Sequence, residues 1–171
     1  NNTDVLICWA SICSLTIKKC KKMGIKTVLI RGSTHIDYQI GLLEKEYLKF
    51  NKFFPKHNYL LLNKEKKEYD LCDFIEVPSN FCKKTFIDNH FNKKKIYVIP
   101  RSIDTNIFQV KRTFNKKPKN IIFVGNTIFR KGLIYLINSL GNLDFDFKLT
   151  IVGSINKNIL FSLCKDISKY K

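Results

Sequence analysis

The sequence predicts an α/β protein built on parallel sheets. Three observations carry this. Short β-rich apolar runs recur along the 171 residues, helical patterns of period three to four separate them, and glycines or prolines stand where one pattern gives way to the other. Continuous apolar strands alternating with helices are the mark of parallel strands covered on both faces and joined by crossover helices.

The elements follow in order. "DVLICWA" (4–10) and "TVLI" (27–30) read as strands, and "SLTIKKCKKMG" between them as a helix stopped by Gly24, which together make a β-α-β unit. "DYQIGLLEKEYLKF" gives a second helix, with Ile40, Leu43, Tyr47 and Phe50 three or four residues apart, ending at Pro55. The lysine-rich stretch through Glu68 reads as an exposed helix. "DFIEVP" (73–78) is a strand, Ser79 is placed to cap the helix "NFCKKTFIDNH", and "KIYVIP" (95–100) is the next strand. From Gln109 to Asn120 the periodicity is lost in "QVKRTFNKKPKN", a stretch with the composition of a linker. Beyond it "IIFVG", a helix from about Gly132 to Leu140 with Gly141 at its end, and "FKLTIVG" form another β-α-β unit.

Composition bounds the function. With 44% hydrophobic and 26% charged residues the chain is globular, not disordered. No apolar run has the roughly 18 residues of a membrane span, and no basic segment precedes the apolar start. The formal net charge of +17 is the footprint expected of a phosphate-backbone binder. Of the 31 basic residues, however, only Arg31, Arg101, Arg112 and Arg130 are arginines, whereas bidentate recognition of bases and phosphates favours arginine. The charge therefore reads as solvated lysine spread over every surface, with attraction to an anionic membrane as a second consequence. Cys8, Cys13, Cys20, Cys72, Cys82 and Cys164 form no C-x-x-C pair and only three histidines accompany them, so free thiols and no metal are expected.

The stretch "FVGNTIFRKGLIYL" (123–136) carries the chemistry. Arg130 and Lys131 stand at the start of a helix, the end that disfavours cations unless an anion is bound there. Its spacing approaches that of a P-loop, but Arg130 replaces the second glycine and Gly132 the Ser/Thr that would hold magnesium; Thr127 likewise breaks the dinucleotide fingerprint.

"FVGNTIFRKGLIYLINSL" resembles the start of the donor-binding domain of family-4 retaining glycosyltransferases of the GT-B fold. Upstream, "DFIEVPSNFCKKTFIDNHF" resembles the segment closing the acceptor domain and "KIYVIPRSIDTNIF" the stretch before the interdomain linker. "FKLTIVGS" resembles the strand after the first donor-domain helix, and "TVLIRGSTHIDYQIGLLEKEY" is similar to a segment whose histidine faces the cleft. Asn126 stands where many members carry arginine, and Ser102 where a glycine is common. The resemblance spans Asp4 to Ser154 in order.

It implies two Rossmann-like domains, both incomplete here because the N-terminal glycine loop and the paired glutamates of the family are missing: an acceptor domain over 1–108, a linker over 109–119 and the start of a nucleotide-sugar domain over 120–171. The implied reaction moves a sugar from a nucleotide diphosphate-sugar to an acceptor hydroxyl with retention. The acceptor is a sugar or a lipid-linked molecule, and the setting is cytoplasmic, extending to the inner face of the membrane. No metal, cofactor or nucleic acid is expected. Gly125, Asn126, Arg130 and Lys131 are the implied diphosphate-binding residues and His35 the implied catalytic group; Ser79 and Asp104 match family positions, but a helix cap and a loop turn explain them equally well. Fixed cations and helix N–H groups suit this chemistry because the departing diphosphate gains negative charge. The alternatives are a basic nucleic-acid-binding α/β protein and a GT-B sugar-nucleotide epimerase.

Overall fold

The computed structural model describes residues 3–55, 58–109, 120–126 and 129–154. It is α/β, with one four-stranded and one two-stranded sheet, both parallel. The chain divides into two compact units, Asn1–Leu42 with Pro55–Phe108, and Leu43–Phe54 with Gln109–Lys171.

In the first unit β1 (Val5–Trp9), β2 (Lys26–Ile30), β3 (Phe74–Val77) and β4 (Ile96–Val98) lie side by side in that order. Helix α1 (Ser14–Lys22) joins β1 to β2, α3 (Tyr59–Leu71) precedes β3, and α4 (Asn80–Asp88) joins β3 to β4. The register places Cys8, Leu29, Ile75 and Ile96 in one row across the sheet, and Trp9, Ile30, Glu76 and Tyr97 in the next row on the opposite face. Leu29, Ile75, Val77 and Ile96 are buried against Ile17 of α1, Tyr69 of α3, and Cys82 and Phe86 of α4.

All three helices therefore pack on the same face, and among the described residues the opposite face is open. The described residues thus cover one face of a sheet that the sequence pattern expects to be covered on both. Strands added successively in one direction by right-handed crossovers put every crossover helix on one side.

Local chemistry explains most element ends. Helix α1 stops because Gly24 takes φ +73 and the Ile25 amide bonds the Cys20 carbonyl at 3.0 Å. Ser79 caps α4, its Oγ accepting the Cys82 amide at 3.2 Å. Helix α2 (Ile36–Lys49) ends before Pro55, because Asn51 turns left-handed at φ +51 and the Lys52 amide bonds back to the Tyr47 carbonyl. Asparagine tolerates that conformation better than other side chains that carry a Cβ.

Helix α3 departs furthest from expectation, since Glu65, Glu68 and Tyr69 are buried. The Glu68 carboxylate accepts the backbone amides of Ser11 at 2.6 Å and Cys13 at 2.8 Å, which fixes the β1–α1 loop with Ser11 at φ +81. Glu65 accepts the Ser11 and Tyr69 hydroxyls. Arg31 Nε stands 3.0 Å from Glu65 Oε1, an ion pair in distance but off the hydrogen-bond direction.

In the second unit β5 (Asn120–Val124) and β6 (Lys148–Val152) pair in parallel over five residues, and α5 (Leu133–Leu140) connects them. Phe129, Leu133, Ile134 and Ile137 pack against Phe123, Leu149 and Ile151. Tyr47 and Phe50 join this core, with the Tyr47 and Phe129 ring centroids 4.2 Å apart, and Tyr135 donates its hydroxyl proton to Glu46. Hence 43–54 packs with the second unit, whereas the sequence pattern puts it in the first domain. Of the linker 109–119, only Gln109 lies within the described residues. Gly141 keeps a right-handed φ of −62, so α5 closes without a left-handed glycine.

Among the described residues no helix is long and apolar enough to cross a membrane. Cys8, Cys13, Cys20, Cys72 and Cys82 are free, and Cys164 lies outside the described residues.

Candidate functional site

The carboxyl ends of parallel strands are where open α/β sheets bind ligands. In the second unit those ends carry Gly125 after β5 and Gly153 after β6. The Gly125 amide donates to the Val152 carbonyl at 2.9 Å, which continues the ladder one residue past the end of β5. Gly153 has no room for a side chain, and at Gly125 the fit is tight. A Cβ on Gly153, whose φ is +146, would stand 2.1 Å from the Gly125 carbonyl oxygen. A Cβ on Gly125 would meet Phe123 Cε1 at 3.1 Å and Lys131 Cγ at 3.2 Å. Asn126 faces the same rim, its Oδ1 accepting the Ser154 amide at 3.4 Å.

Lys131 thus lays the first carbons of its side chain along the Gly125 backbone. Its neighbour Arg130 is exposed, as is Lys131 itself, and among the described residues neither has an ion-pair partner. Gly132 follows at φ +73 and caps α5 without a side-chain hydrogen bond, and the first turn of the helix holds no carboxylate. The left-handed backbone explains why glycine stands where a P-loop would carry Ser or Thr. Two cations, an uncapped helix start and a glycine-lined strand end therefore converge in one small region. That arrangement attracts an anion through charge and through amides left without helical partners.

The other sequence candidates lie in the first unit. His35 is 2% exposed, its ring enclosed by Tyr69, Phe86 and Phe91 at centroid distances of 5.2, 5.1 and 5.5 Å. Its amide donates to Thr85 Oγ1 at 2.9 Å and its Nδ1 accepts the Asp37 amide at 3.3 Å. Burial holds the imidazole below its ordinary pKa; Lys66 and Arg31 act in the same sense, and Asp37 and Glu65 oppose them. The expectation of a histidine open to a cleft meets a ring packed as part of the core, because three aromatic side chains close around it. Ser79 serves as the α4 cap. Asp104 organises a turn, its Oδ1 accepting the Asn106 amide at 2.8 Å.

No protein-family model matches this chain, and the search of curated proteins returned no significant match. The functional reading therefore rests on the resemblance seen in the sequence together with this geometry. Sequence reasoning named Gly125, Asn126, Arg130 and Lys131 and missed Gly153, for which the signal was present: a glycine directly after an apolar strand, as at Gly125. Nothing in the pattern of α3 marks Glu65 and Glu68 as buried, since the loop amides and the Ser11 hydroxyl that hold them lie 54 to 57 residues away in sequence.

Proposed function

We propose that this chain is part of a two-domain glycosyltransferase of the GT-B type, resembling the family-4 retaining enzymes, and that the rim of the second unit takes the diphosphate of a nucleotide-sugar donor. One observation supports the reading most: Lys131 lies against Gly125 at the end of β5, beside an uncapped helix start, with no carboxylate partner among the described residues. A dispersed surface lysine has no reason to sit at the positive end of a helix. In this reading Lys131 and Arg130 neutralise the charge that gathers on the diphosphate as the sugar departs, the first amides of α5 add directed donors, and Gly125 lets a phosphate approach the backbone. The acceptor hydroxyl belongs to the first unit, on a sugar or a lipid-linked molecule at the inner face of a membrane. His35 is given no part in the chemistry, because its ring is enclosed.

The test is nucleoside diphosphate binding, read as the rise in melting temperature with uridine, guanosine or adenosine diphosphate. Wild type should show a rise with at least one of them. Lys131→Ala and Arg130→Ala should each weaken binding by about 10- to 100-fold, the value of a charge-assisted hydrogen bond of about 1.5 to 3 kcal/mol. Equal ligand shifts in all three proteins, or none in wild type, would sink the reading.

A further inference from the structure

The turns after β5 and after β1 both lead from the carboxyl end of a parallel strand into a helix, and they are furnished differently. After β5 stand two exposed cations, with no carboxylate in the first turn of α5 and no side-chain cap. The turn after β1 is filled from inside the chain. Glu68 of α3 reaches it across 55 to 57 residues of sequence, with Oε1 2.8 Å from the Cys13 amide and Oε2 2.6 Å from the Ser11 amide. Each oxygen takes one amide, and Glu68 is 0% exposed.

The two amides lie two residues apart around Ser11, whose left-handed φ of +81 turns successive N–H groups toward one point. Such a concavity of backbone donors between a strand end and a helix start binds anions, and α/β units commonly take phosphate there. Serine adopts this backbone at a cost, so it persists only where the surroundings over-determine it. Two carboxylates do so here: Glu68 through the amides, and Glu65 by accepting the Ser11 hydroxyl. Helix α1 brings no anion of its own, since its first turn holds no acidic residue and Cys13 at its N-cap makes no side-chain bond to it.

Charge sets Glu68 apart from its neighbour. Arg31 stands against Glu65, Nε 3.0 Å from Oε1, and those two offset each other. Among the described residues Glu68 is in no ion pair. A buried carboxylate without a cation is costly unless other donors take its place. The donors in this case are the loop amides and the positive end of α1, the same groups that would hold a bound oxyanion.

We infer that Glu68 is a built-in anion seated in an oxyanion site made by the Ser11 and Cys13 amides, and that it closes this turn of the first unit to phosphate-bearing ligands. Any phosphate on a ligand of the first unit has to be met elsewhere. The inference does not depend on the glycosyltransferase reading.

Glu68→Ala removes Cγ, the carboxyl carbon and both oxygens, which are the heavy atoms of acetate, so acetate is the first probe and inorganic phosphate the second. The isotope-labelled full chain is titrated with each sodium salt at an ionic strength held constant with sodium chloride. In Glu68→Ala the Ser11 and Cys13 amide resonances should move saturably with both anions, at least about tenfold more tightly than any response of wild type. Wild type should show no saturable movement, and neither should Glu68→Gln, which keeps the space filled. If Glu68→Ala is unfolded in chloride, acetate should restore its circular dichroism, and Glu68→Ser, whose hydroxyl can cover one amide, repeats the titration. Saturable movement of these amides in wild type with phosphate would show an open turn and overturn the inference whichever variants fold. Silence of both amides toward acetate in Glu68→Ala and Glu68→Ser, or an equal response in Glu68→Gln, would overturn it as well. A response to acetate without one to phosphate would confine the site to carboxylates and remove the claim of closure to phosphate.

Discussion

Gly153 and Gly125 face each other at the ends of paired strands so closely that a Cβ on the first would stand 2.1 Å from the carbonyl oxygen of the second. Replacing Gly153 must therefore move backbone, whereas Gly132, also at positive φ, has open space where its Cβ would go. Gly132→Ala should cost about 1 to 2 kcal/mol from conformation alone. Gly153→Ala should cost more, the steric term adding to strain of about 1 to 3 kcal/mol. Amide exchange at Gly125 and through β6 measures the difference; equal protection in the two variants would contradict the geometry.

Glu68 holds the β1–α1 loop through two backbone amides, and its removal orphans both. Glu68→Ala should destabilise the first unit by about 1 to 3 kcal/mol for each buried donor left unsatisfied. Glu68→Gln keeps one acceptor oxygen and should cost less. Urea unfolding followed by Trp9 fluorescence checks the order, since Trp9 ends the strand before the loop.

His35 makes stability depend on pH. Its folded pKa lies below the unfolded value of about 6.5, so below that pH the unfolded chain binds a proton that the folded one refuses. Stability contributed by the neutral ring is complete above about pH 6.5 and is lost as pH falls through and below that value. His35→Phe, which keeps an aromatic ring in the pocket, should flatten the stability profile between about pH 7.5 and 5.5 relative to wild type. An unchanged slope would show that the ring does not titrate on unfolding.

Four of the described thiols, Cys13, Cys20, Cys72 and Cys82, are buried, and Cys8 is half-buried. Burial pushes the Cys72 thiol up to about 12 and raises those of Cys8 and Cys13 as well. Thiolate, the reactive form, is therefore scarce at neutral pH. A disulfide-exchange reagent should count six thiols after denaturation and leave the four buried ones slow in the native protein. Fewer than six, restored by reductant, would mean disulfides.

Lys131→Ala should leave the unliganded protein as stable as wild type or more stable by about 0.3 to 1 kcal/mol, because it removes a cation from the positive end of α5. Melting temperatures without nucleotide test this. A marked loss of stability would mean that the stem packed on Gly125 matters more than the charge.

By itself the sequence determined the α/β class, the order of the strands along the chain, the stop at Gly24, the Ser79 cap and the cations placed before α5. These are local: they follow from the period of apolar side chains, from glycine's access to positive φ, and from hydroxyl capping, each acting within a few residues. The tertiary structure alone decided that the helices of the first unit share one face, that Leu43–Phe54 packs with the second unit, that Glu65 and Glu68 lie inside, and that His35 is enclosed by aromatic rings. Each depends on partners distant in sequence. A glutamate looks solvated until loop amides 55 and 57 residues away converge on its carboxylate, and a row of alternating side chains does not disclose which face the crossovers will cover.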